Sequence, residues 1–98
     1  MPTMKQKGEY LMGHLHYEVD LESKDRVQVT LDHAANVMLL DTANYAQYKL
    51  GKDCSFYGGY AKQSPVTLAP PHRGKWHVVI DVEGHGGTVR AAVAVVHQ

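Results

Sequence analysis

A single cysteine, Cys54, among 98 residues leaves no partner for an internal disulfide, so the fold must hold by packing, as expected in a reducing compartment. Charge of neither sign is in excess: ten Lys and Arg meet ten Asp and Glu, which argues against bulk attraction to nucleic acid or to an anionic membrane. No apolar run approaches the ~18 residues of a membrane-crossing helix, and the start MPTMKQKGEYLMG has no apolar stretch of signal-peptide length. A cytoplasmic protein with no membrane partner is the expectation. Catalytic and metal signatures are missing as well. There is no Gly-x-Ser-x-Gly elbow, no His-Glu-x-x-His and no paired Cys-x-x-Cys, and neither glycine cluster opens a helix as a phosphate loop must. Neither enzymatic activity nor a resident cofactor is expected.

A hydrophobic fraction of 44% suffices for one core in a chain of 98 residues, giving a single β domain over residues 1–98 whose first 12 residues are expected to be flexible or loosely packed. Period-2 alternation dominates. Leu15, Tyr17 and Val19 fall on one face of an extended segment and His14, His16, Glu18 and Asp20 on the other, a strand with one wet face. Val27, Val29 and Leu31 repeat the pattern after the polar turn Glu22-Ser23-Lys24-Asp25, so the two segments read as a hairpin. Asn36 to Asp41 is a continuous apolar run, as in a strand covered on both faces. One or two helical turns fit residues 41–51, with Asp41 or Thr42 as cap and Gly51 as terminator.

Cys54–Tyr57 and Pro65–Ala69 read as short strands flanking Gly58-Gly59. Trp76, Val78, Ile80 and Val82 form one clear apolar face, and Val89, Ala91, Val93 and Val95 form another. The loop Glu83-Gly84-His85-Gly86-Gly87 between them predicts a central hairpin, the alternative for these glycines being a mobile flap. About seven strands and one short helical turn predict a mainly β fold, a small antiparallel sandwich or barrel.

The order Asn36-Val37, Leu40-Asp41, Asn44-Tyr45 with Tyr48, Tyr57-Gly58-Gly59, Ser64-Pro65-Val66 and Gly74-Lys75-Trp76-His77-Val78-Val79-Ile80-Asp81 resembles the small bacterial domain of unknown function family numbered 1883. The resemblance covers nearly the whole chain. It implies a mostly β domain without an assigned reaction, joined in some bacterial proteins to a Toll/interleukin-receptor domain. Such receptor domains commonly cleave nicotinamide dinucleotides or make nucleotide signals in antiviral defence, and a bacteriophage would find in such a domain a sponge for the signal. The family offers no site residues to carry over.

Charge is uneven along the chain. Residues 49–75 hold five bases (Lys49, Lys52, Lys62, Arg73, Lys75) against Asp53 alone, interleaved with Phe56, Tyr57 and Tyr60 and followed by Trp76. Bases and rings together suit a planar anion, which makes Tyr57, Gly58, Tyr60, Lys62, Arg73, Trp76 and His77 the candidate ligand contacts, with a nucleotide-derived signal as the expected small molecule. Trp76 belongs to the core by alternation, or to the rim if its ring sits at the strand's mouth.

Residues His14 and His16 share a strand face, but a third metal ligand would have to come from Glu18, His33 or His97, and no ligand pattern supports it. His77 and Asp81 lie about 13 Å apart along a strand and cannot hydrogen-bond directly. The alternative function is a protein-interaction or self-assembly module working through exposed strand edges, with a homo-oligomer as one outcome. A single-stranded nucleic-acid binder is disfavoured by the zero net charge.

Overall fold

The computed structural model describes residues 3–6, 9–11, 14–81 and 89–97, with side chains from residue 14 onward. Among the described residues, nine strands and one helix follow in chain order: β1 (Thr3–Gln6), β2 (Glu9–Leu11), β3 (His14–Leu21), β4 (Arg26–Leu31), β5 (Ala35–Asp41), α1 (Thr42–Lys49), β6 (Tyr57–Ala61), β7 (Val66–Leu68), β8 (Gly74–Asp81) and β9 (Ala91–Val96). They build two antiparallel sheets, ordered β1-β9-β4-β7 and β2-β3-β8-β5-β6. The fold is mainly β, as the alternation predicts. Within the first 12 residues, β1 pairs with β9 and β2 with β3. No helix among the described residues is long and apolar enough to cross a membrane.

The core lies between the sheets. Leu15, Tyr17 and Val19 from β3 stand opposite Ile80, Val78 and Trp76 of β8. All six are buried, together with Val37 and Leu39 of β5 and, from the facing sheet, Val27, Val29, Val93 and Val95. Each fully buried aliphatic side chain of this kind contributes about 1.5–3 kcal/mol. The Tyr17 hydroxyl crosses the interior to donate to the Ala91 carbonyl at 3.2 Å, so the ring is buried without orphaning its oxygen.

Two hairpins expected from the sequence are corrected. β3 and β4 do not pair, and neither do β8 and β9; in each case the two strands belong to different sheets. Alternation reports that one face of a strand is buried. It does not report whether its neighbour in sequence lies beside it or across the core, and in a sandwich both arrangements give the same pattern. The Glu22–Asp25 turn closes through Asp25 N–H to Glu22 carbonyl (3.0 Å) and Glu22 N–H to the Asp25 carboxylate (2.9 Å), carrying the chain from one sheet to the other. The Gly84–Gly87 segment, read as turn or flap, and Val82 lie outside the described residues.

The reading of residues 36–41 as a doubly covered strand holds: Val37 and Leu39 face the sandwich, while Met38 and Leu40 face α1. Asp41 caps the helix by accepting from Asn44 N–H at 2.8 Å, and Gly51, at φ 72°, follows its last turn.

Strand β6 starts where the sequence reading ended it, at Tyr57, and includes the glycines taken as its boundary. A Cβ on Gly58 would lie 2.2 Å from the Val37 carbonyl oxygen, and φ there is +116°. Glycine is therefore what lets this edge strand lie against β5.

Candidate functional site

The predicted contacts separate onto three parts of the fold. Tyr57, Gly58 and Tyr60 are on β6, the outer strand of the five-stranded sheet, and Tyr57 and Tyr60 are about half exposed. Trp76 is core: it is 2% exposed, its indole N–H donates to the His72 carbonyl at 3.2 Å, and the Tyr57 ring meets it edge-on at 6.1 Å. His77, one residue on, points to the opposite face of the sheet and lies beneath α1.

Arg73 precedes the first residue of β8 and pairs with Glu22 at 3.4 Å, both side chains well exposed. Ala61 pairs with Ala35, next to the Asn36–Asp81 pair, so Lys62 lies beyond the far end of β8. An eight-residue strand thus separates Lys62 from Arg73, about 25 Å, and the two bases do not share one phosphate. Lys62 instead lines a shallow cavity of about 140 Å³ with Leu31, Asp32, His33, Ala61 and Ser64. The structure groups Tyr57, Gly58 and Tyr60 on β6, joins Tyr57 to Trp76, and leaves Lys62, Arg73 and His77 apart from them.

Exposed apolar side chains gather at this sheet edge on both faces, Tyr57 beside Leu39 on the inner one and Tyr60 beside Asn36 on the outer. Among the described residues, Leu50, Phe56, Tyr57 and Tyr60 are the large hydrophobic residues that stand in solvent, and all lie on β6 or on the segment leading into it from α1. That segment is tied down: Ser55 N–H donates to the Asn44 side-chain oxygen at 2.8 Å, and Cys54 packs against the small cluster of Met38, Leu40, Tyr45 and Val79.

A second constellation lies under α1, and sequence reasoning did not assemble it. The face of β3 expected to be wet is wet at Glu18 and Asp20 only; His14 is buried, His16 is half-buried, and His77 and Asp81 across from them are buried. Strand pairing makes the difference. β3 pairs with β8 so that Glu18 stands directly opposite His77 and His16 opposite Val79, which makes His16 and His77 diagonal neighbours on one face.

The rings approach with His16 Nε2 and His77 Nδ1 2.7 Å apart, and His77 Nε2 lies 3.0 Å from the Thr42 hydroxyl at the start of α1. Tyr45, from the helix, stacks on both imidazoles, with centroids 4.1 Å from His16 and 4.7 Å from His77. Its hydroxyl meets His14 Nε2 at 3.3 Å, and Lys49 Nζ sits 4.8 Å from its ring centre. Tyr48, one turn along, donates its hydroxyl to the Asp81 carboxylate.

Electrostatics favours neutral imidazoles here. Burial holds His77 below the ordinary histidine range, with Lys49 and Lys75 adding to the depression and Glu18 and Asp41 opposing it. Burial likewise lowers His16, reinforced by the His77 and His14 rings and opposed by Glu18. Burial also raises the Tyr45 hydroxyl, so it stays protonated and can donate.

Among the described residues no three His, Cys, Asp or Glu side chains gather as a metal-binding group. The third ligands considered for His14 and His16 are engaged elsewhere: His33 with Asp32 at 3.0 Å, His97 with Asp25 at 3.0 Å, and Glu18 with Lys75 at 2.9 Å. His77 and Asp81 bond different partners, as their spacing requires.

Neither a curated protein nor a solved structure matches this chain. Residues 12–98, which span β3 to β9 and so contain both the exposed edge and the histidine cluster, match the family described as "Domain of unknown function (DUF1883)", and the chain belongs to that family.

Proposed function

We propose that this domain recognises an extended segment of a partner protein, which adds as a further strand along β6. The observation that carries this reading is the exposure of Leu50, Phe56, Tyr57 and Tyr60 (67, 44, 49 and 48%) beside an outer strand. An outer strand offers backbone donors and acceptors to an incoming chain, and half-exposed aromatic rings supply area at low entropic cost. The charge of the stretch around β6 selects the partner: with Arg73 and Lys75 paired to Glu22 and Glu18, Lys49, Lys52 and Lys62 against Asp53 favour a segment whose apolar residues alternate with acidic ones.

A blocked peptide alternating valine and glutamate, titrated into the labelled protein, is the direct test. The reading expects amide shifts concentrated in residues 57–61 that weaken with added salt. It is overturned by shifts that avoid β6, or by equal binding of the peptide in which lysine replaces glutamate. Light scattering across concentration identifies the case in which β6 takes a second copy of this chain instead.

A nucleotide-derived defence signal is the second reading, favoured by the half-exposed Tyr57 and Tyr60 rings flanking the Gly58-Gly59 pair. Adding ADP-ribose to about 1 mM distinguishes it: shifts centred on Tyr57 and Tyr60 side chains, with no response to the peptide, would replace the first reading by this one. Neither reading requires bond-breaking chemistry.

A further inference from the structure

The cluster beneath α1 joins two features: three histidines held under a single short helix, and a main hydrophobic core that does not include them. Met38, Leu40, Val79 and Tyr45 form a small cluster of their own, separate from the one that fills the sandwich. Helix α1 spans eight residues, and its one buried residue is Tyr45. A helix of this length has little stability of its own and stays formed through what it packs on. What it packs on is Met38, Leu40 and Val79 on one side of Tyr45, and His14, His16, His77 and Asp81 on the other.

One proton lies between His16 Nε2 and His77 Nδ1 at 2.7 Å, donated by one ring and accepted by the other. A first added proton creates an imidazolium stacked beneath Tyr45, shut off from bulk water at His77 and half-shielded from it at His16. A second puts two N–H groups face to face and breaks the contact outright. The charged groups around the pair do not offset this. Glu18 faces it from β3 and Asp41 from the end of β5, but Lys75 on β8, Lys49 on α1 and His14 on β3 oppose them. Glu18 is itself taken by Lys75, and Asp81 accepts from Tyr48. Cys54 meets the apolar side of the cluster.

We propose that the His16–His77 pair is a proton-operated latch: acidification releases α1 and residues 50–56 from the outer face of the five-stranded sheet while the sandwich stays folded, and so alters the apolar surface beside β6. The latch stands on the cluster's geometry. Its effect on partner capture rests on the reading of β6 given above.

Hydrogen exchange on the full chain tests it, read as protection factors so that the intrinsic pH dependence of exchange is removed. Between about pH 7.5 and about pH 5, protection of the amides of residues 45–51 should fall at least about tenfold, while β4 and β9 keep theirs. In His77→Phe, which keeps a ring for Tyr45 to stack on and leaves His16 as the one titrating member of the pair, the fall should shrink severalfold. Should that variant not fold, His16→Gln serves the same purpose: it retains a donor for His77 Nδ1 and removes one titrating site, so the fall should shrink severalfold. Constant α1 protection over this range, or a loss shared equally by β4 and β9, overturns the latch. The peptide titration repeated at both pH values reads the coupling. A pH-dependent helix whose opening leaves peptide affinity unchanged removes the link to β6, and absence of peptide binding at either pH removes the β6 reading while leaving the latch to stand on exchange.

Discussion

The five-stranded sheet has two covered faces, and they are built on opposite terms. On the inner face Leu15, Tyr17, Val19, Leu39, Trp76, Val78 and Ile80 meet the other sheet, and the polar atoms among them have backbone partners in Ala91 and His72. On the outer face Met38, Leu40 and Val79 make only a small apolar cluster with Tyr45, and His14, His16, His77 and Asp81 meet the same helix through Thr42, Tyr45 and Tyr48. Apolar burial is indifferent to direction and to pH, since it scales with area removed from water. Polar burial needs a partner for each donor and acceptor, and its strength depends on which groups carry protons. Adjacent residues of one strand, Trp76 and His77, thus enter two environments that should fail in different ways.

The sharpest way to test that difference is at Trp76. Trp76→Ala removes the largest fully buried side chain and should destabilise the domain by about 3–5 kcal/mol, measured by urea unfolding at neutral pH. The wild-type emission should be blue-shifted and resistant to iodide. A loss below about 1 kcal/mol would mean that the inner face is loosely packed and the comparison is wrong at its stronger end.

Gly58→Ala comes next, because a new Cβ meets the Val37 carbonyl where φ is +116°. An expected cost of about 2–3 kcal/mol, with protection lost first in β6, would show that the edge strand depends on this close approach.

Acid separates the two faces without any mutation. His16 and His77 have folded-state pKa values below the ordinary 6.5, so between that value and their own the unfolded chain binds protons that the folded chain does not. Stability is therefore full above about pH 6.5 and lost as pH falls below it, by up to about 1.4 kcal/mol per pH unit for each histidine. Asp25 adds a later loss. Its carboxylate, held low mainly by the Glu22 N–H, supports the fold above the ordinary carboxylate range and ceases to do so only as pH drops through its own lowered value. Urea unfolding as a function of pH should show the histidine step in the wild type and lose it in His16→Gln/His77→Phe. A step that survives in the double variant would place the acid sensitivity elsewhere.

Much of the inner face was legible because it needs only period 2. Leu15, Tyr17 and Val19, then Trp76, Val78 and Ile80, announce their faces without reference to any other strand, and the run at 36–41 announces two. The partners did not follow, because a sandwich strand looks the same whichever sheet its sequence neighbour joins. That one missing fact hid the histidine cluster. His14 and His16 were visible as one face of a strand, His77 and Asp81 as one face of another, and Tyr45 and Tyr48 as neighbours three apart on a helix; only the pairing of β3 with β8 superimposes them. The ligand set drawn from the basic and aromatic stretch fared differently, since local charge and ring content say nothing about which end of an eight-residue strand a side chain will occupy, and Lys62 and Arg73 fell at opposite ends.

The smallest expected effect on stability is the most informative about the outer face. Glu18 and Lys75 form an ion pair at 2.9 Å with side chains 49% and 54% exposed, so breaking it with Glu18→Gln should change stability at neutral pH by less than about 0.5 kcal/mol. Glu18 nevertheless stands directly opposite His77 and is the leading influence holding that ring's affinity for protons up against burial. Removing the carboxylate leaves only Asp41 to oppose burial, Lys49 and Lys75, and the His77 titration followed by its ring proton resonances should move to lower pH. The acid step in stability should deepen correspondingly, because the gap between folded and unfolded histidine widens. A midpoint that stays in place or rises would show that solvent screens Glu18 from the cluster, and that burial beneath α1 alone sets the protonation of His77.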